Sequence, residues 1–319
     1  MRRTTASLLA SVLAVAGCKD VPTLAGGDAT PQSGRIYFNR AVPLSSNALL
    51  HMTTDAEFNA TRVTAGAGTR HDRPAAALNG RYLAWGDVEP PPATGAPSNH
   101  RLYTEDRWTG EVRQLLPDGV RGLYPSWTRD GDRLAYLRND LYDAAGDELV
   151  ISNRDGTGLR VILPAGEVEG TMPSLSPDGR RIVLVSQPTS DRLDVIEVAT
   201  GSRAALTAEV EQYSVYLRDP IWSPDGEQVA FIARPTGLAD TSMVQVVDRQ
   251  GVVRHELKTT VYATRPAWSP DGRRIAVCRE FRPNSGVWRR EIVVWTLASG
   301  AVQSITPAHD SDCDPTWSR

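Results

Sequence analysis

The chain has 319 residues, of which 40% are hydrophobic and 23% are charged, and its formal net charge at pH 7 is −3. This composition is that of an ordinary soluble globular protein, and the mild charge gives no reason to expect binding to nucleic acid. The length would allow two domains, but an array of repeats would make one large domain of it.

Residues 1–17 have the features of a secretion signal. Two arginines precede the apolar run Leu8 to Ala16, which is too short to cross a membrane comfortably. The run ends in Val-Ala-Gly followed by Cys18, which resembles a bacterial lipobox, so Cys18 would carry the lipid and become the mature N-terminus. The alternative is an ordinary secretion signal with Cys18 merely near its cleavage site.

The next segment, residues 18–33, is predicted to be a flexible tether that spans about 20 Å. Lys19 stands at the second mature position, where an Asp is typical of inner-membrane retention, and this favours the outer membrane. The sequence thus predicts a lipid-anchored protein of the bacterial cell envelope, with its folded part in the periplasm or at the cell surface.

From residue 34 onward the chain is organised around one recurring motif. In its best copy, Asp219 to Gly226 reads Asp-Pro-Ile-Trp-Ser-Pro-Asp-Gly, and the apolar run Val229 to Ala233 follows. This predicts a strand, a tight turn closed by Asp and Gly, and a second strand that is buried on both faces. Complete and degenerate copies share an anchoring proline in the first strand, at Pro74, Pro125, Pro173, Pro220, Pro266 and Pro315.

The spacing of the anchoring prolines indicates the architecture. Successive prolines are 51, 48, 47, 46 and 49 residues apart, which is the repeat length of four-stranded propeller blades. The copy at Pro315 stops before its turn, and the missing strand is found near the other terminus, at Gly34 to Phe38. Pairing of the C-terminal strand with the N-terminal one would close a ring of six blades without exposed sheet edges.

The pattern P-x-W-S-P-D-G-x-x-[IV]-A-F resembles that of the TolB-like six-bladed β-propellers, over residues 34–319. The resemblance implies an all-β fold with four antiparallel strands in each of six blades. Family members are mostly envelope proteins that bind other proteins, while others are the non-catalytic propellers of larger peptidases and a few relatives cleave sugars. The resemblance therefore favours a monomeric scaffold that binds another envelope protein; the alternative is a glycan-binding or sugar-cleaving propeller.

Strand alternation places the tight turns on one face of the ring and the long connections on the other. Binding residues favour loops held by a rigid scaffold, so the long-loop face is the predicted binding face. Its loops offer the aromatic side chains Tyr213, Phe281 and Trp288, a residue class enriched at binding hot spots. For any single long loop, a tolerated insertion is the better explanation.

The residues directly before the anchoring prolines are predicted to be extended and to stand where the first strand enters the channel. They are Arg73, Tyr124, Met172, Asp219, Arg265 and Asp314. Their charges alternate on one side of the ring, while Tyr124 and Met172 make the other side apolar. This predicts a two-sided funnel for a partner segment, although charges that simply neutralise each other would give the same pattern. Replacing Arg265 and Asp219 by Ala is predicted to weaken capture while sparing thermal stability.

Catalytic and cofactor signatures are scarce in the sequence. It has no G-x-S-x-G, H-E-x-x-H or C-x-x-C motif, and no cofactor is predicted. The acidic cluster from His309 to Asp314 spaces its carboxylates as calcium loops do, but Pro315 replaces the loop glycine, and a solvated loop explains the same residues.

Cysteine pairing is the last expectation from the sequence. If Cys18 is lipidated, Cys278 and Cys313 remain as an even pair in an oxidising compartment. Both are predicted to lie on the long-loop side of neighbouring blades, where a disulfide would need Cα atoms closer than about 7 Å. Two buried, reduced thiols are the alternative.

Overall fold

The computed structural model describes the residues 34–41, 48–54, 61–62, 70–88, 100–140, 146–168, 172–186, 192–207, 215–235, 241–259, 262–281, 289–306 and 311–319. Gln32–Arg319 forms one compact unit, and Met1–Pro31 is a separate unit. The predicted signal peptide, Cys18 and the tether lie outside the described residues. In the described part of the chain, no helix is long and apolar enough to span a bilayer.

The described residues form 24 β-strands, numbered in chain order. The first twelve are β1 Arg35–Ala41, β2 Ala48–Thr54, β3 Thr61–Arg62, β4 Arg70–Ala76, β5 Tyr82–Val88, β6 His100–Asp106, β7 Glu111–Gln114, β8 Val120–Trp127, β9 Arg133–Asp140, β10 Glu148–Asn153, β11 Arg160–Leu163 and β12 Ser174–Leu175. The others are β13 Arg181–Val185, β14 Leu193–Glu197, β15 Arg203–Ala205, β16 Val215–Trp222, β17 Gln228–Pro235, β18 Ser242–Asp248, β19 Val253–Thr259, β20 Tyr262–Trp268, β21 Arg274–Phe281, β22 Arg289–Thr296, β23 Val302–Ser304 and β24 Ser311–Ser318.

These strands form antiparallel four-stranded units, as the repeat predicts. Four of them are separate sheets, made of β4–β7, β8–β11, β12–β15 and β16–β19. The remaining strands form one eight-stranded sheet, in which β20–β23 make one half and β24, β1, β2 and β3 make the other. In the second half β24 pairs antiparallel with β1, with Trp317 opposite Ile36 and Ser311 opposite Ala41.

The prediction of six separate blades is wrong as a count of sheets, because the structure has five. The two halves of the eight-stranded sheet are joined between β22 and β24 by a single parallel residue pair, Arg290 and Ser311. The repeat spacing could not reveal this contact. The Arg290–Ser311 pair forms where the edges of two neighbouring units approach each other, and it does not change the order of strands within either unit.

Burial is concentrated in the second strand of each unit, and this expectation is confirmed. Val229 to Ala233 of β17 are at most 2% exposed, and Leu134 to Leu137 of β9, Ile182 to Val185 of β13 and Ile275 to Cys278 of β21 are at most 4% exposed. Since both faces of such a strand are covered, each unit packs on the units at either side. Clusters of buried side chains accordingly lie between successive units, including one between the two halves of the eight-stranded sheet, where Phe38, Ile292 and Trp317 meet.

The tight turns between the first two strands repeat with nearly identical geometry. In the turns of β8, β12, β16 and β20, the Ser or Thr hydroxyl donates to the Asp carboxylate over 2.6 Å. The same carboxylate oxygen accepts the backbone N–H two residues later, and the Gly N–H donates back to the Ser or Thr carbonyl. Each glycine has a φ of +69° to +72°, the left-handed conformation that glycine adopts without steric cost.

Candidate functional site

One cavity gathers all six residues that precede the anchoring prolines. It is bounded by β4, β8, β12, β16, β20 and β24, which we call the inner strands of the six four-stranded units. It encloses about 590 Å³ of space, including space open to solvent. Its lining comprises Arg73, Pro74, Tyr124, Pro125, Ser126, Met172, Pro173, Ser174, Asp219, Pro220, Ile221, Arg265, Pro266, Asp314 and Pro315. We call it the proline-lined cavity.

The backbone at these positions differs from the extended conformation predicted. Positive φ values occur at Arg73 (51°), Tyr124 (57°), Asp219 (52°), Arg265 (53°) and Asp314 (59°). At each one the strand pairing skips the residue and its proline, so the inner strand carries a bulge. Proline cannot donate to the ladder and is tolerated at such bulges. The prediction of an extended conformation was therefore wrong at these five residues, because the bulge imposes a left-handed backbone conformation.

This conformation is strained for residues with a side chain. A left-handed non-glycine residue costs about 1–2 kcal/mol, and the cost is tolerated where the surrounding structure imposes it. Five such residues lie on the wall of one cavity, although glycine would remove the strain at each. The side chains at these positions therefore have a use that outweighs the strain, or are fixed by contacts with their neighbours.

The charged side of the cavity is a connected network. The guanidinium of Arg265 forms an ion pair with Asp314, whose other carboxylate oxygen accepts a 2.9 Å hydrogen bond from the Asn39 amide. The backbone N–H of Arg265 donates to Oδ2 of Asp219 over 2.9 Å. Asp219 and Asp314 are 8% and 6% exposed. Three of the four alternating charges predicted from the sequence are therefore brought together, with Arg265 in contact with both acids, whereas Arg73 contacts the Tyr124 ring.

The rest of the cavity lining is mostly apolar, apart from Arg73. The Arg73 guanidinium carbon lies 3.9 Å from the centre of the Tyr124 ring, a cation–π contact that holds the phenol ring in the wall. Met172 and Ile221 also line this cavity, together with the anchoring prolines. The cavity thus offers a polar flank and an apolar flank to whatever enters it.

Hydroxyl groups next to the cavity join neighbouring units. Ser126 accepts the backbone N–H of Leu175, Ser174 accepts that of Trp222, and Thr316 accepts that of Ala76. At two of the three positions that hold an apolar residue, a tryptophan of the next unit donates to its carbonyl instead: Trp127 to Ala75 and Trp268 to Ile221. At the third, Ala267, there is no such bond, and the Trp317 indole N–H has no partner among the described residues. The sequence analysis missed this role, although a Ser or Thr directly after an anchoring proline was a visible signal.

Of the three aromatic anchors predicted on the surrounding loops, Phe281 is the one among the described residues. Phe281 ends β21, is half-buried and has the Arg279 guanidinium carbon 6.0 Å from its ring centre. It does not appear among the described residues that line the cavity. Tyr213 and Trp288 lie outside the described residues.

A disulfide links Cys278 of β21 to Cys313 of β24, with Cα atoms 5.1 Å apart. Both cysteines are buried, and the Thr264 hydroxyl lies 3.7 Å from the Cys313 sulfur. The ligand atoms of Cys278, Glu280 and Cys313 lie within 4.8 Å of one another. Since the two sulfurs are bonded to each other, the trio offers no metal site in this state. The bond instead fixes the residue next to Asp314.

A second cavity opens at the tight turns, and the sequence analysis overlooked it. It is lined by Leu78, Asn79, Arg129, Asp130, Pro177, Pro270 and Arg319. Arg129 occupies the position that holds proline in the turns of β12, β16 and β20, and its guanidinium donates to the Pro224 carbonyl, two units away along the chain. This departure from Ser-Pro-Asp-Gly was visible in the sequence. The contact ties the turn of β8 to the turn of β16.

The repeated four-stranded units and the cavity between their inner strands define the fold as an all-β propeller, and this fold is similar to that of solved TolB structures. No protein-family model matches the chain. The fold is similar to that of TolB from Acinetobacter baumannii, with a TM-score of 0.71 and 18% identity over 91% of this chain and 68% of that one. A putative TolB from Agrobacterium tumefaciens superposes with a TM-score of 0.59 and 14% identity, over 87% and 88% of the two chains.

Curated sequences give a consistent but partial match. The chain is 32% identical to the Tol-Pal system protein TolB of Francisella tularensis subsp. holarctica over 120 residues, which are 36% of this chain and 26% of that protein. It is 30% identical to the uncharacterized peptidase YuxL of Bacillus subtilis over 134 residues, or 40% and 18% of the two chains. The match therefore spans about a quarter or less of the length of these relatives, and their activities do not transfer directly.

Proposed function

We propose that this protein is a cell-envelope propeller that binds a segment of another envelope protein in the proline-lined cavity. The observation that carries the proposal is the convergence of six pre-proline residues from six inner strands on one cavity. Their side chains make a charged flank and an apolar flank, which suits an extended segment with two unlike sides. The strained backbone at five of these positions is typical of functional sites.

We infer that the eight-stranded sheet acts as two blades, so that six blades surround the cavity and the pairing of β24 with β1 closes the ring. Two observations support this. Between β22 and β24 only one residue pair is bridged, whereas β24 and β1 pair from Arg35–Ser318 to Ala41–Ser311. A buried cluster also separates the two halves, as between the other units.

The proposed location follows from the sequence and from the relatives. The lipobox-like segment ending at Cys18 would provide a lipid anchor, residues 18–33 a tether, and residues 34–319 the propeller. Lys19 favours the outer membrane. The curated TolB relative is named for the Tol-Pal system, and a propeller of similar fold in the envelope would meet protein partners there. We propose that the propeller acts as a monomer that needs no cofactor.

The competing function is glycan binding or cleavage in the same cavity. Oligogalacturonate lyase shares the fold with a TM-score of 0.55 and 13% identity, a likeness that concerns the fold alone. A sugar-cleaving site would need convergent carboxylates or histidines. Among the described residues that line the cavity there is no histidine, and Arg265 contacts both acidic groups. This arrangement favours binding over acid–base chemistry.

Site-specific photocrosslinking in cells tests the proposal. Benzoylphenylalanine replaces Tyr124, already an aromatic residue of the cavity wall, in one variant and Val302 in the outer strand β23, where it is 44% exposed, in the control. We expect irradiation to give a discrete adduct with an envelope protein from position 124 and none from position 302. Adducts from position 302 alone, or none from either position, would show that the cavity does not receive a protein segment.

A further inference from the structure

Asp219 has a hydrogen-bonding capacity that the described residues leave unused. Its side chain is 8% exposed and belongs to the wall of the proline-lined cavity. Oδ2 accepts the backbone N–H of Arg265, but Oδ1 is shielded from water and receives no donor from any residue that the structure describes. A buried carboxylate oxygen without a donor is costly and calls for an explanation.

The neighbouring acid differs from Asp219 in having a charged partner. Oδ1 of Asp314 forms an ion pair with the Arg265 guanidinium, although it accepts no hydrogen bond from the described residues, and Oδ2 accepts the Asn39 amide. Arg265 thus contributes its side chain to Asp314 and its backbone N–H to Asp219. Elsewhere in the cavity lining, the Arg73 guanidinium lies over the Tyr124 ring. The cavity therefore contains two acids, of which only one has a charged partner among the residues shown here.

The surroundings of Asp219 specify the ligand group that fits. Asp219 lies between Met172 on one neighbouring unit and Arg265 on the other, and Pro220 and Ile221 follow it in the same wall. A carboxylate oxygen accepts hydrogen bonds and prefers charged N–H donors. Lysine and arginine combine such a donor with an aliphatic stem that packs along an apolar wall. An acidic group would instead meet repulsion at this position.

We propose that Asp219 recognises a basic side chain of the partner segment, with the ammonium or guanidinium on its carboxylate and the stem along Met172. This inference rests on the proposed function and specifies the chemistry of its partner. The positive φ of Asp219 is consistent with this proposal. Aspartate is among the few residues that adopt this conformation readily, so a carboxylate can be placed here with little backbone strain.

Selection of peptides by the purified full-length protein tests the inference. A phage library of random heptapeptides is panned against the wild type, Asp219→Asn and the matched control Glu227→Gln, whose carboxylate pairs with Arg249 on the tight-turn side. We expect Lys or Arg to be enriched at one position with the wild type and the control, and this enrichment to disappear with Asp219→Asn. Thermal unfolding of each variant verifies that it is folded.

A selected peptide then gives a quantitative comparison. Replacing its basic residue by norleucine should weaken binding to the wild type by about tenfold, the effect of one charge-assisted hydrogen bond. The same replacement should change binding to Asp219→Asn by less than about twofold. Met172→Trp, which fills the cavity, should abolish binding of the peptide to either background.

The outcomes separate the inference from the proposed function. Peptides that Met172→Trp excludes but that show no basic preference would overturn the inference and leave the proposed function standing. Failure to select any peptide that depends on the cavity would overturn both. If calcium or magnesium alone raised the melting temperature of the wild type but not of Asp219→Asn, and peptides were indifferent to Asp219, the carboxylate would belong to a metal ion and the inference would fall.

Discussion

The two ends of the inner strands differ, although they belong to the same repeat. At the tight-turn end, four copies have the same hydroxyl–carboxylate bond of 2.6 Å and the same backbone bonds. At the cavity end, the six residues before the prolines are of four types, two Arg, two Asp, one Tyr and one Met, and their contacts are not the same from copy to copy. The repeat has thus retained identical geometry where it stabilises the fold, and varied side chains where a ligand would contact them.

The largest effect is expected from breaking the ion pair at the cavity end. In Arg265→Ala the Asp314 carboxylate, 6% exposed, keeps only the Asn39 amide among the donors shown. Removing one partner of a buried pair leaves an uncompensated charge, so the free energy of unfolding should fall by about 3 kcal/mol. Urea unfolding of the variant and the wild type measures this loss.

The double variant Arg265→Ala/Asp314→Asn is the matched control. Because it removes the charge together with its partner, it should recover more than half of the lost stability. If the two replacements instead add their losses, the ion pair does not hold this end together. The sequence alone predicts that removing Arg265 spares stability; the contact with Asp314 argues against that expectation.

The next effect compares two glycines at turns. Gly131 and Gly300 have nearly the same φ, +72° and +71°, but a Cβ at Gly131 would lie 2.4 Å from the buried Tyr82 ring, whereas nothing lies within 4 Å of one at Gly300. Gly300→Ala should cost about 1 kcal/mol from the left-handed backbone alone. Gly131→Ala should cost about 2 kcal/mol more, since the ring must move. Equal losses in denaturant unfolding would contradict this account.

The smallest effect concerns the acid in one tight turn. Burial raises the pKa of Asp178, but the hydrogen bonds from the Ser176 hydroxyl and the Arg180 backbone N–H, together with the charges of Arg181 and Arg180, hold the pKa below its usual range. A lowered folded pKa means that this stabilisation is complete above the unfolded pKa near 4 and is lost as the pH falls through the folded value.

Asp178→Asn should therefore reduce stability at pH 7 by about 1 kcal/mol, the net value of one hydrogen bond. The difference from the wild type should shrink as the pH falls from about 4 towards 2. Ser176→Ala removes the same bond from the other side and should converge with the wild type in the same range. A difference that stays constant with pH would assign the loss to packing.

The fold was predictable because its signals are local and repeated. Pro-Asp-Gly after Trp-Ser, as at Trp222 and Ser223, specifies a turn by the chemistry of three residues, and the apolar run that follows specifies a buried strand. The single bridge between Arg290 and Ser311 was not predictable, because it depends on how two units approach in space.

The candidate site was predictable in its membership but not in its conformation. The register of the prolines identified all six pre-proline residues of the cavity. The left-handed backbone at Asp219 and its equivalents follows from strand pairing across the bulge, which no single residue encodes. Similarly, the Asn39 amide reaches Asp314 from 275 positions away in the chain, a contact that only the paired β1 and β24 create.

The Cys278–Cys313 bond changes the covalent topology of the chain. It encloses β22 and β23 in a loop whose ends are 35 positions apart. A single peptide-bond cleavage anywhere between residues 279 and 311 would therefore leave both pieces in one molecule. The fragment that begins after the cut would still carry Asp314 and β24, tethered through sulfur to β21. A nicked chain could thus keep every wall of the proline-lined cavity, as long as its surroundings stay oxidising.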